Sequence, residues 1–285
     1  MHYSAQPIEK GYRTIVDPVS SSLRTLRFGR IHFDARGEKY SSENNGWESV
    51  LDILGGSCSI RIESDSCGQI EYDHIGLRKD VFSGKATMVY LPSRARYTIV
   101  SETESLDIAV VEAPSNLVYS PVLVIPENVV DLAVGAGNWQ RRVHIGVGPD
   151  VNAVRLMVGE TFNPSGNWSG YPPHKHDATI SREAAYEELY FFLLNPPQGF
   201  GLIRIYSNKA NRDSKAFDKA YVIQNGDVIA IPRGYHCLTV APGYQLFYLW
   251  ALSGEGRQYG QWSDDQEHAW IKNCEVAPTG VSEIK

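Results

Sequence analysis

The amino-acid sequence predicts an all-β protein made of two similar antiparallel β-barrels. Short runs of β-branched and aromatic residues recur along the chain, and each run is bounded by Gly, Pro, Asp or Ser. No apolar stripe with helical spacing separates them, and short strands in such succession are typical of sandwiches and barrels. One segment of the first half also aligns with a segment of the second half, which indicates an internal duplication.

Composition limits the size class and the partners of the protein. The chain has 285 residues, of which 42% are hydrophobic and 21% charged, so it can bury a core in one large or two ordinary domains. The formal net charge is −6 and the Lys and Arg residues are scattered, which argues against nucleic acid as a partner. No apolar run is long enough to span a membrane, and the N-terminus lacks signal-peptide features. We therefore expect a cytoplasmic protein without membrane partners.

The cysteines predict free thiols. Cys58, Cys67, Cys237 and Cys274 form no Cys-x-x-Cys pair and are few for a chain of this length. A disulfide framework is therefore not expected, and we interpret all four as reduced thiols.

The first barrel is assigned to residues 1–135. Its strand candidates are Leu26–Phe33, Trp47–Leu54, Cys58–Ile62, Met88–Leu91, Tyr97–Val100 and Leu106–Val111. This pattern breaks near Pro114–Asn138, and the second barrel is assigned to residues 136–285. Its strand candidates are Ala153–Gly159, Glu188–Leu194, Phe200–Tyr206, Tyr221–Ile231, His236–Val240 and Gln245–Leu252. Between the first two of these candidates, Ser181–Tyr186 is rich in Arg, Glu and Ala and is expected to form a single helical turn.

The two halves differ at the position of a histidine. Val89–Tyr97 aligns with Ile229–Cys237, so Arg96 occupies the position of His236. The first half also lacks a His-x-His pair, and a cation at the aligned position would repel a divalent ion. We therefore expect a metal site in the second barrel and none in the first.

The strongest chemical signal is a His-x-His pair, His174 and His176, in an extended segment. Residues i and i+2 of a strand share a face, so both imidazoles can reach one ion, and Pro172-Pro173 excludes a helix there. Downstream, Glu187-Glu188 opens an apolar run and His236 follows a Pro-x-Gly turn. Three imidazole nitrogens and one carboxylate suit a divalent ion such as zinc, iron, manganese or nickel.

These motifs resemble those of known families. The spacing Gly-x5-Pro-x-Gly-x-His at residues 226–236, with His-x-His and a Glu upstream, resembles the cupin motifs, and the duplication implies a bicupin with jelly-roll barrels. Gly159-Glu160, residues 166–177, 194–200 and 231–236 closely resemble the 5-deoxy-glucuronate isomerases of bacterial myo-inositol catabolism. Their relatives isomerise 4-deoxy-5-threo-hexosulose uronate in pectin breakdown. The likeness extends from about Gly46 to Trp270.

The resemblance implies a function and a ligand set. It implies a metal-dependent aldose–ketose isomerase that converts 5-deoxy-D-glucuronate, a small sugar acid, to 5-dehydro-2-deoxy-D-gluconate. The cupin Glu stands closer to His-x-His than any Glu does here, which leaves Glu183, Glu187 and Glu188 as candidates. The pectin-pathway isomerases carry their ligand Glu before an x-Tyr-aromatic run. On that match, Glu188 joins His174, His176 and His236 as ligands of zinc or manganese.

Further residues are candidates for roles around the substrate. Glu187, Tyr190 and Tyr248 are candidates for the general base, and Glu188 contributes to catalysis as a metal ligand. The carboxylate of a uronate should face a cation, for which Arg204 is the candidate. Lys175 is a second candidate, although strand alternation turns it away from the histidine face. Asp177 is expected to orient a histidine from behind.

Two other functions remain open at this point. A cupin dioxygenase would use the same three His and one Glu around a redox metal and would require oxygen. A non-catalytic sugar-binding bicupin would be expected to lack the ligands in both halves, and here only the first half lacks them. The one protein partner expected from the sequence is a second copy of this chain in a homo-oligomer.

Overall fold

The computed structural model describes residues 1–207 and 216–273, which form an almost entirely β structure, as predicted. The strands up to residue 125 are β1 (His2–Tyr3), β2 (Gly11–Val16), β3 (Arg27–Phe33), β4 (Lys39–Glu43), β5 (Trp47–Gly55), β6 (Ser57–Ser64), β7 (Gly68–Gly76), β8 (Met88–Leu91), β9 (Arg96–Ser101), β10 (Leu106–Pro114) and β11 (Val122–Val124). The later strands are β12 (Val130–Val134), β13 (Arg141–Val147), β14 (Leu156–Asn163), β15 (Trp168–Lys175), β16 (Tyr186–Asn195), β17 (Gly201–Tyr206), β18 (Asp218–Ile223), β19 (Val228–Ile231), β20 (Tyr235–Val240), β21 (Gln245–Gly254) and β22 (Ser263–Asp264). Short 3-10 helices lie at Val81–Ser83, Pro126–Asn128, Gly137–Trp139 and Ala269–Asn273.

The strands pair into four antiparallel sheets, two in each half. The first half has a six-stranded sheet, in the order β11-β8-β5-β10-β3-β2, and a four-stranded sheet, β4-β9-β6-β7. The second half has a seven-stranded sheet, β1-β19-β16-β21-β14-β13-β12, and a five-stranded sheet, β18-β17-β20-β15-β22. The order β8-β5-β10-β3-β2 is thus repeated by β19-β16-β21-β14-β13. Each half is a sandwich of two open sheets, whereas the sequence had suggested closed barrels.

Three apolar cores lie between successive sheets. The first core, with Ile60 and Ile108, fills the space between the four-stranded and six-stranded sheets. The second joins the halves, and there the rings of Phe28 and Phe191 lie 5.2 Å apart. The third, with Leu238, lies between the seven-stranded and five-stranded sheets. The sheets therefore stack in the order four, six, seven and five strands.

The stacking explains why β16 and β21 are apolar on both faces. Nearly every residue of these strands is buried, because the seven-stranded sheet is covered on one side by the first half and on the other by the five-stranded sheet. Leu189 and Phe191 face the core between the halves, whereas Phe192 faces the core of the second half. Side-chain alternation is preserved, but it cannot be read from hydrophobicity alone.

One predicted strand is in fact two. Residues Tyr221–Ile231 were expected to be continuous, but β18 ends at Ile223 and β19 begins at Val228, in a different sheet. The turn between them has Gly226 at φ +88°, a conformation that favours glycine. Asn225 also stabilises the turn, because its side-chain oxygen accepts a hydrogen bond from the backbone of Leu194 at 2.8 Å. The sequence did not reveal this turn, because apolar residues lie on both sides of it.

The helical turn predicted at Ser181–Tyr186 is also wrong. Ile180 and Glu183 form an isolated β-bridge, and Tyr186 already belongs to β16. The buried carboxylate of Glu183 holds this segment, since it accepts hydrogen bonds from the backbone N–H groups of Asp177 and Ala178 at 2.8 and 2.9 Å. Helix-forming composition was outweighed by these contacts.

The boundary predicted at residue 135 does not separate the sheets of the two halves. β1 pairs with β19 and β12 pairs with β13, so two segments before residue 136 belong to the sheet of the second half. The division at residue 135 remains a prediction about the domains. No helix of the described residues is long and apolar enough to cross a membrane. Cys58, Cys67 and Cys237 are free thiols, whereas Cys274 lies outside the described residues.

Candidate active site

Three histidine side chains converge inside the second half. His174 lies on β15, His176 follows that strand, and His236 lies on β20 directly opposite His174. Their candidate ligand nitrogens all lie within 4.8 Å of one another. That spacing approaches the one expected for nitrogens that share an ion at about 2.0–2.1 Å. No second group of three such residues occurs within residues 1–207 and 216–273.

Backbone carbonyls orient two of the imidazoles. His176 Nδ1 lies 3.1 Å from the carbonyl oxygen of Tyr186, and His236 Nδ1 lies 3.1 Å from that of Gly234. If each Nδ1–H donates to its carbonyl, the Nε2 lone pair of the neutral ring points to the centre of the cluster. His236 Nε2 is buried without a well-aligned hydrogen bond, although a carboxylate oxygen of Glu188 lies 3.1 Å away. A buried imidazole nitrogen without a well-aligned hydrogen bond, beside a carboxylate, fits a metal ligand.

The two adjacent glutamates point in opposite directions. Glu188 Oε2 lies 3.0 Å from His176 Nε2 and 3.1 Å from His236 Nε2. Glu187 faces the first half, where its carboxylate accepts hydrogen bonds from the backbone N–H groups of Arg24 and Thr25 at 2.8 Å. Of the glutamates considered from the sequence, only Glu188 meets the imidazoles. Glu187 lies outside the cluster and cannot act there as a base.

The charge states within the cluster suit a divalent cation. Burial raises the pKa of Glu188, but its interactions with the imidazoles of His176 and His236 outweigh burial and hold the pKa below its ordinary value. Burial and the neighbouring imidazoles hold the pKa of His174 well below its ordinary value, so this ring is neutral at pH 7. Burial lowers the pKa of His176, but the hydrogen bond to Glu188 raises it overall. An ionised carboxylate beside imidazoles is a donor set for zinc, manganese or iron.

The cluster opens into an aromatic pocket. His174, His176 and Glu188 line a cavity of about 160 Å³, which has room for roughly five water molecules. The ring of Trp262 lies 5.3 Å from that of His174. The aromatic residues of the pocket wall are Trp139, Tyr171, Tyr190, Tyr248, Trp250, Tyr259 and Trp262. Such walls exclude water and strengthen the electrostatic interactions of a bound polar molecule.

Tyr190 and Tyr248, both base candidates from the sequence, line this pocket. Their rings lie 4.9 Å apart, and the hydroxyl of Tyr248 is 2.6 Å from that of Ser169. Burial raises the pKa of both phenols above the ordinary value. The phenols therefore stay protonated near neutral pH and are hydrogen-bond donors rather than bases.

Lys175 lies outside the pocket, as its alternation predicted. Its ammonium group is 2.6 Å from Asp177 and 2.7 Å from Glu183, in a half-buried ion cluster beside the histidines. Asp177 also accepts a hydrogen bond from the backbone of Gly234 at 2.9 Å. It thus holds the turn before His236 and does not contact an imidazole directly. The charge of Lys175 is thus balanced by two carboxylates of the protein, and the expectation that Lys175 contacts the substrate is wrong.

Arg204 also lies outside the pocket, which corrects the expectation that it binds the substrate. Its guanidinium forms two hydrogen bonds to Asp218, at 2.9 and 2.7 Å, and lies over the ring of Tyr206. Ile203 and Ile205 are the buried residues of β17, so alternation turns Arg204 to the outer face of the five-stranded sheet.

The sequence analysis missed the cations that do line the pocket. They are Arg141, at the start of β13, and Lys272, near the end of the described residues. The carboxylate of Asp264 also lines this pocket. Arg141 lies more than 30 residues before His174, and only the sheet order reveals that its strand belongs to the wall. The signal available in the sequence was the polar start of an otherwise apolar strand.

Arg96 does not occupy the interior of the first half. Arg96 lies two residues after Arg94, which has a positive φ, just as His236 lies two residues after Gly234, which also has a positive φ. However, its side chain is 68% exposed and lies 3.4 Å from Glu63. The inward neighbour is Tyr97, which packs in an apolar core. The first half thus lacks a His cluster because its interior is apolar, and the expected repulsion by Arg96 is not the reason.

Comparisons with known proteins decide the family. The model of the KduI/IolB family matches residues 3–271. The chain belongs to the KduI/IolB family. A protein of Geobacillus thermodenitrificans (strain NG80-2) named 5-deoxy-glucuronate isomerase is 34% identical over 276 residues, which is 96% of each chain. One of the same name from Bacillus subtilis (strain 168) is 30% identical over 240 residues, or 83% of this chain and 84% of that one. The resemblance found in the sequence motifs is confirmed.

Solved structures agree with this KduI/IolB assignment. The crystal structure of an IolB-like protein from Salmonella typhimurium LT2 has a TM-score of 0.85 and 30% identity, and covers 94% of this chain and 98% of that one. The oxalate decarboxylase of Lactobacillus farciminis has a TM-score of 0.67 with 11% identity, and covers 95% and 88%. This second likeness concerns the fold alone, and it confirms the predicted bicupin-like architecture.

Proposed function

We propose that this KduI/IolB family member is a metal-dependent aldose–ketose isomerase that converts 5-deoxy-D-glucuronate to 5-dehydro-2-deoxy-D-gluconate. The observation that carries the proposal is the convergence of three imidazoles and the Glu188 carboxylate at the base of an aromatic pocket. The named relatives, which span nearly the same length, support the substrate.

The proposed ligands are His174, His176, Glu188 and His236, and the proposed ion is zinc or manganese. Their support is the spacing of the nitrogens and the buried Nε2 of His236, which has no well-aligned hydrogen bond and lies 3.1 Å from Glu188. A bound divalent ion would supply a Lewis acid that stabilises the negative charge which develops on the carbonyl oxygen during isomerisation. The hydrogen bonds from Nδ1 to backbone carbonyls keep the imidazoles oriented for this task.

The pocket residues bind the sugar and control its protons. The reaction moves a hydrogen from a hydroxyl-bearing carbon to the neighbouring aldehyde carbon, while the hydroxyl proton moves to the aldehyde oxygen, so no oxidant is consumed. Tyr190 and Tyr248 are protonated phenols and would donate hydrogen bonds to oxygens of the substrate. Asp264 is the pocket carboxylate outside the proposed ligand set, and we propose that its Oδ atoms carry the proton between the carbons.

An anaerobic assay tests the proposal. The protein is stripped with a chelator, zinc or manganese is restored, and conversion of 5-deoxy-glucuronate to its 2-keto isomer is followed without oxygen. We expect full activity without oxygen, none after chelation, and recovery on adding metal, because the reaction needs no change of oxidation state. Oxygen uptake with another substrate would favour the dioxygenase, and tight sugar binding without product would favour the binding protein. The cytoplasmic location and self-association expected from the sequence remain predictions.

A further inference from the structure

Two cations line the pocket among the described residues, and only one of them has a carboxylate partner there. Lys272 pairs with Asp264, which lines the same wall. Arg141 is half-buried, and its guanidinium has a hydrogen bond to the carbonyl oxygen of Trp139, 3.4 Å from Nη1. No ion pair between described residues involves Arg141. Since a guanidinium has five N–H donors, most of its hydrogen-bonding capacity remains for a bound molecule.

The register of β13 directs Arg141 into the pocket. Val143 pairs with Thr161 of β14, and both residues line the cavity. Arg141 precedes Val143 by two residues and therefore shares its face. The adjacent Arg142 lies on the opposite face, where it is exposed and bonded to Asp131 at 2.7 Å. The chain thus contains two neighbouring arginines, of which one faces the pocket and the other faces solvent.

The charge of Arg141 also reaches the wall of the pocket. Burial raises the pKa of Tyr248, and the positive charge of Arg141 is the strongest influence that opposes this rise. A cation in such an aromatic wall favours an anionic ligand, because little solvent is present to screen it.

We propose that the guanidinium of Arg141 binds the carboxylate of the sugar acid and so selects a uronate over a neutral sugar. The inference rests on the proposed function. β13 is three strands away from β16, which carries Glu188, so Arg141 lies on the far side of the pocket from that carboxylate. The substrate has its aldehyde at one end and its carboxylate at the other, as the pocket has imidazoles on one side and Arg141 on the other. A guanidinium can bind a carboxylate through two parallel hydrogen bonds.

Substrate selectivity of matched variants tests this inference. Arg141→Met removes the charge and keeps much of the side-chain length, Arg141→Lys keeps a charge without the fork, and Arg142→Met is the control. Each is assayed with 5-deoxy-glucuronate and with 5-deoxy-glucose, in which a hydroxymethyl group replaces the carboxylate. Product affinity is measured by titration calorimetry, and bound metal by mass spectrometry.

We expect Arg141→Met to lower kcat/KM for the uronate on the order of 100-fold, mainly through KM, and to leave the neutral sugar almost unchanged. Arg141→Lys should give an intermediate kcat/KM for the uronate, and Arg142→Met should match the wild type. Equal losses on both substrates, or a selective loss in Lys272→Met instead, would overturn the assignment. If the wild type does not isomerise the uronate at all, the proposed function fails. If it does and Arg141→Met keeps the wild-type selectivity, only this inference fails.

Discussion

The two halves share a strand order but differ in what they enclose. Ser49 pairs with Leu91 in the first half as Glu188 pairs with Ile231 in the second, so Ser49 and Glu188 are structurally equivalent. By the same register, residues Ile31, Leu51, Ile108 and Val110 correspond to Thr161, Tyr190, Tyr248 and Trp250. The first set is a closed apolar core and the second lines the pocket. One fold therefore serves as scaffold in one half and as site in the other, according to a few inward side chains.

The halves are alike where they hold each other. Glu48 accepts hydrogen bonds from the backbone of Val154 and Arg155, both at 2.7 Å, just before β14. Its equivalent, Glu187, accepts bonds from the segment just before β3. The two carboxylates thus form reciprocal clamps, related by the duplication, across the core between the halves. In the second half the clamp residue immediately precedes Glu188, which ties the candidate metal ligand to the scaffold half.

The largest difference between the halves should appear at equivalent histidine and arginine positions. We expect His236→Ala to lower kcat by about 1,000-fold or more, because it removes a proposed ligand and the loss of several kcal/mol of transition-state stabilisation corresponds to that factor. Arg96→Ala, at the aligned surface position, should change neither activity nor metal content. Both are measured by steady-state kinetics and metal analysis, with circular dichroism as the folding control. An active, metal-loaded His236→Ala protein would refute the site.

The reciprocal clamps should contribute similarly to stability. Glu48→Ala and Glu187→Ala each leave backbone N–H groups at the interface without an acceptor, and each unsatisfied group costs about 1–3 kcal/mol. We expect both variants to lose about 3 kcal/mol of unfolding free energy, measured by urea denaturation. A large loss in one variant and none in the other would show that the halves are not held symmetrically.

The two carboxyl groups beside Arg78, where the halves meet, should contribute unequally to stability. Its guanidinium lies 2.6 Å from Glu160 of the second half and 3.1 Å from Asp52 of the first, and all three are buried. Burial, with the Glu160 charge, raises the pKa of Asp52 well above its ordinary value and favours the protonated carboxyl. Asp52→Asn should therefore cost less than about 1 kcal/mol, whereas Glu160→Gln leaves Arg78 buried without an ionised partner and should cost about 3–5 kcal/mol.

The pH dependence of stability tests whether Asp52 is protonated in the folded protein. The folded chain keeps the Asp52 proton at pH values where the unfolded chain has lost it. Stability from this group therefore falls as pH rises from the ordinary Asp pKa to the raised one. Asp52→Asn should remove that slope from unfolding curves measured between acidic and neutral pH. A slope unchanged in the variant would indicate that Asp52 is ionised in the fold.

The sequence predicted what repeats or is local, and it missed what depends on sheet stacking. The His-x-His pair, the Pro-x-Gly turn before His236 and the strand-rich pattern are local signals, and they were sufficient for the fold class and the histidine cluster. Glu187 and Glu188 could not be separated by hydrophobicity, because β16 is buried on both faces. Arg141 was missed and Arg204 chosen because a side chain's distance from the pocket depends on strand order, which sequence spacing does not reveal.

The location of bound metal tests the comparison most directly. Crystals of the zinc-loaded protein, measured at the zinc absorption edge, report every ion in the chain by anomalous scattering. We expect one peak per chain, in the second half, with His174, His176, Glu188 and His236 at about 2.0–2.3 Å. A stoichiometric peak among the first-half residues, or an ion in the second half that His236 does not contact, would contradict the account.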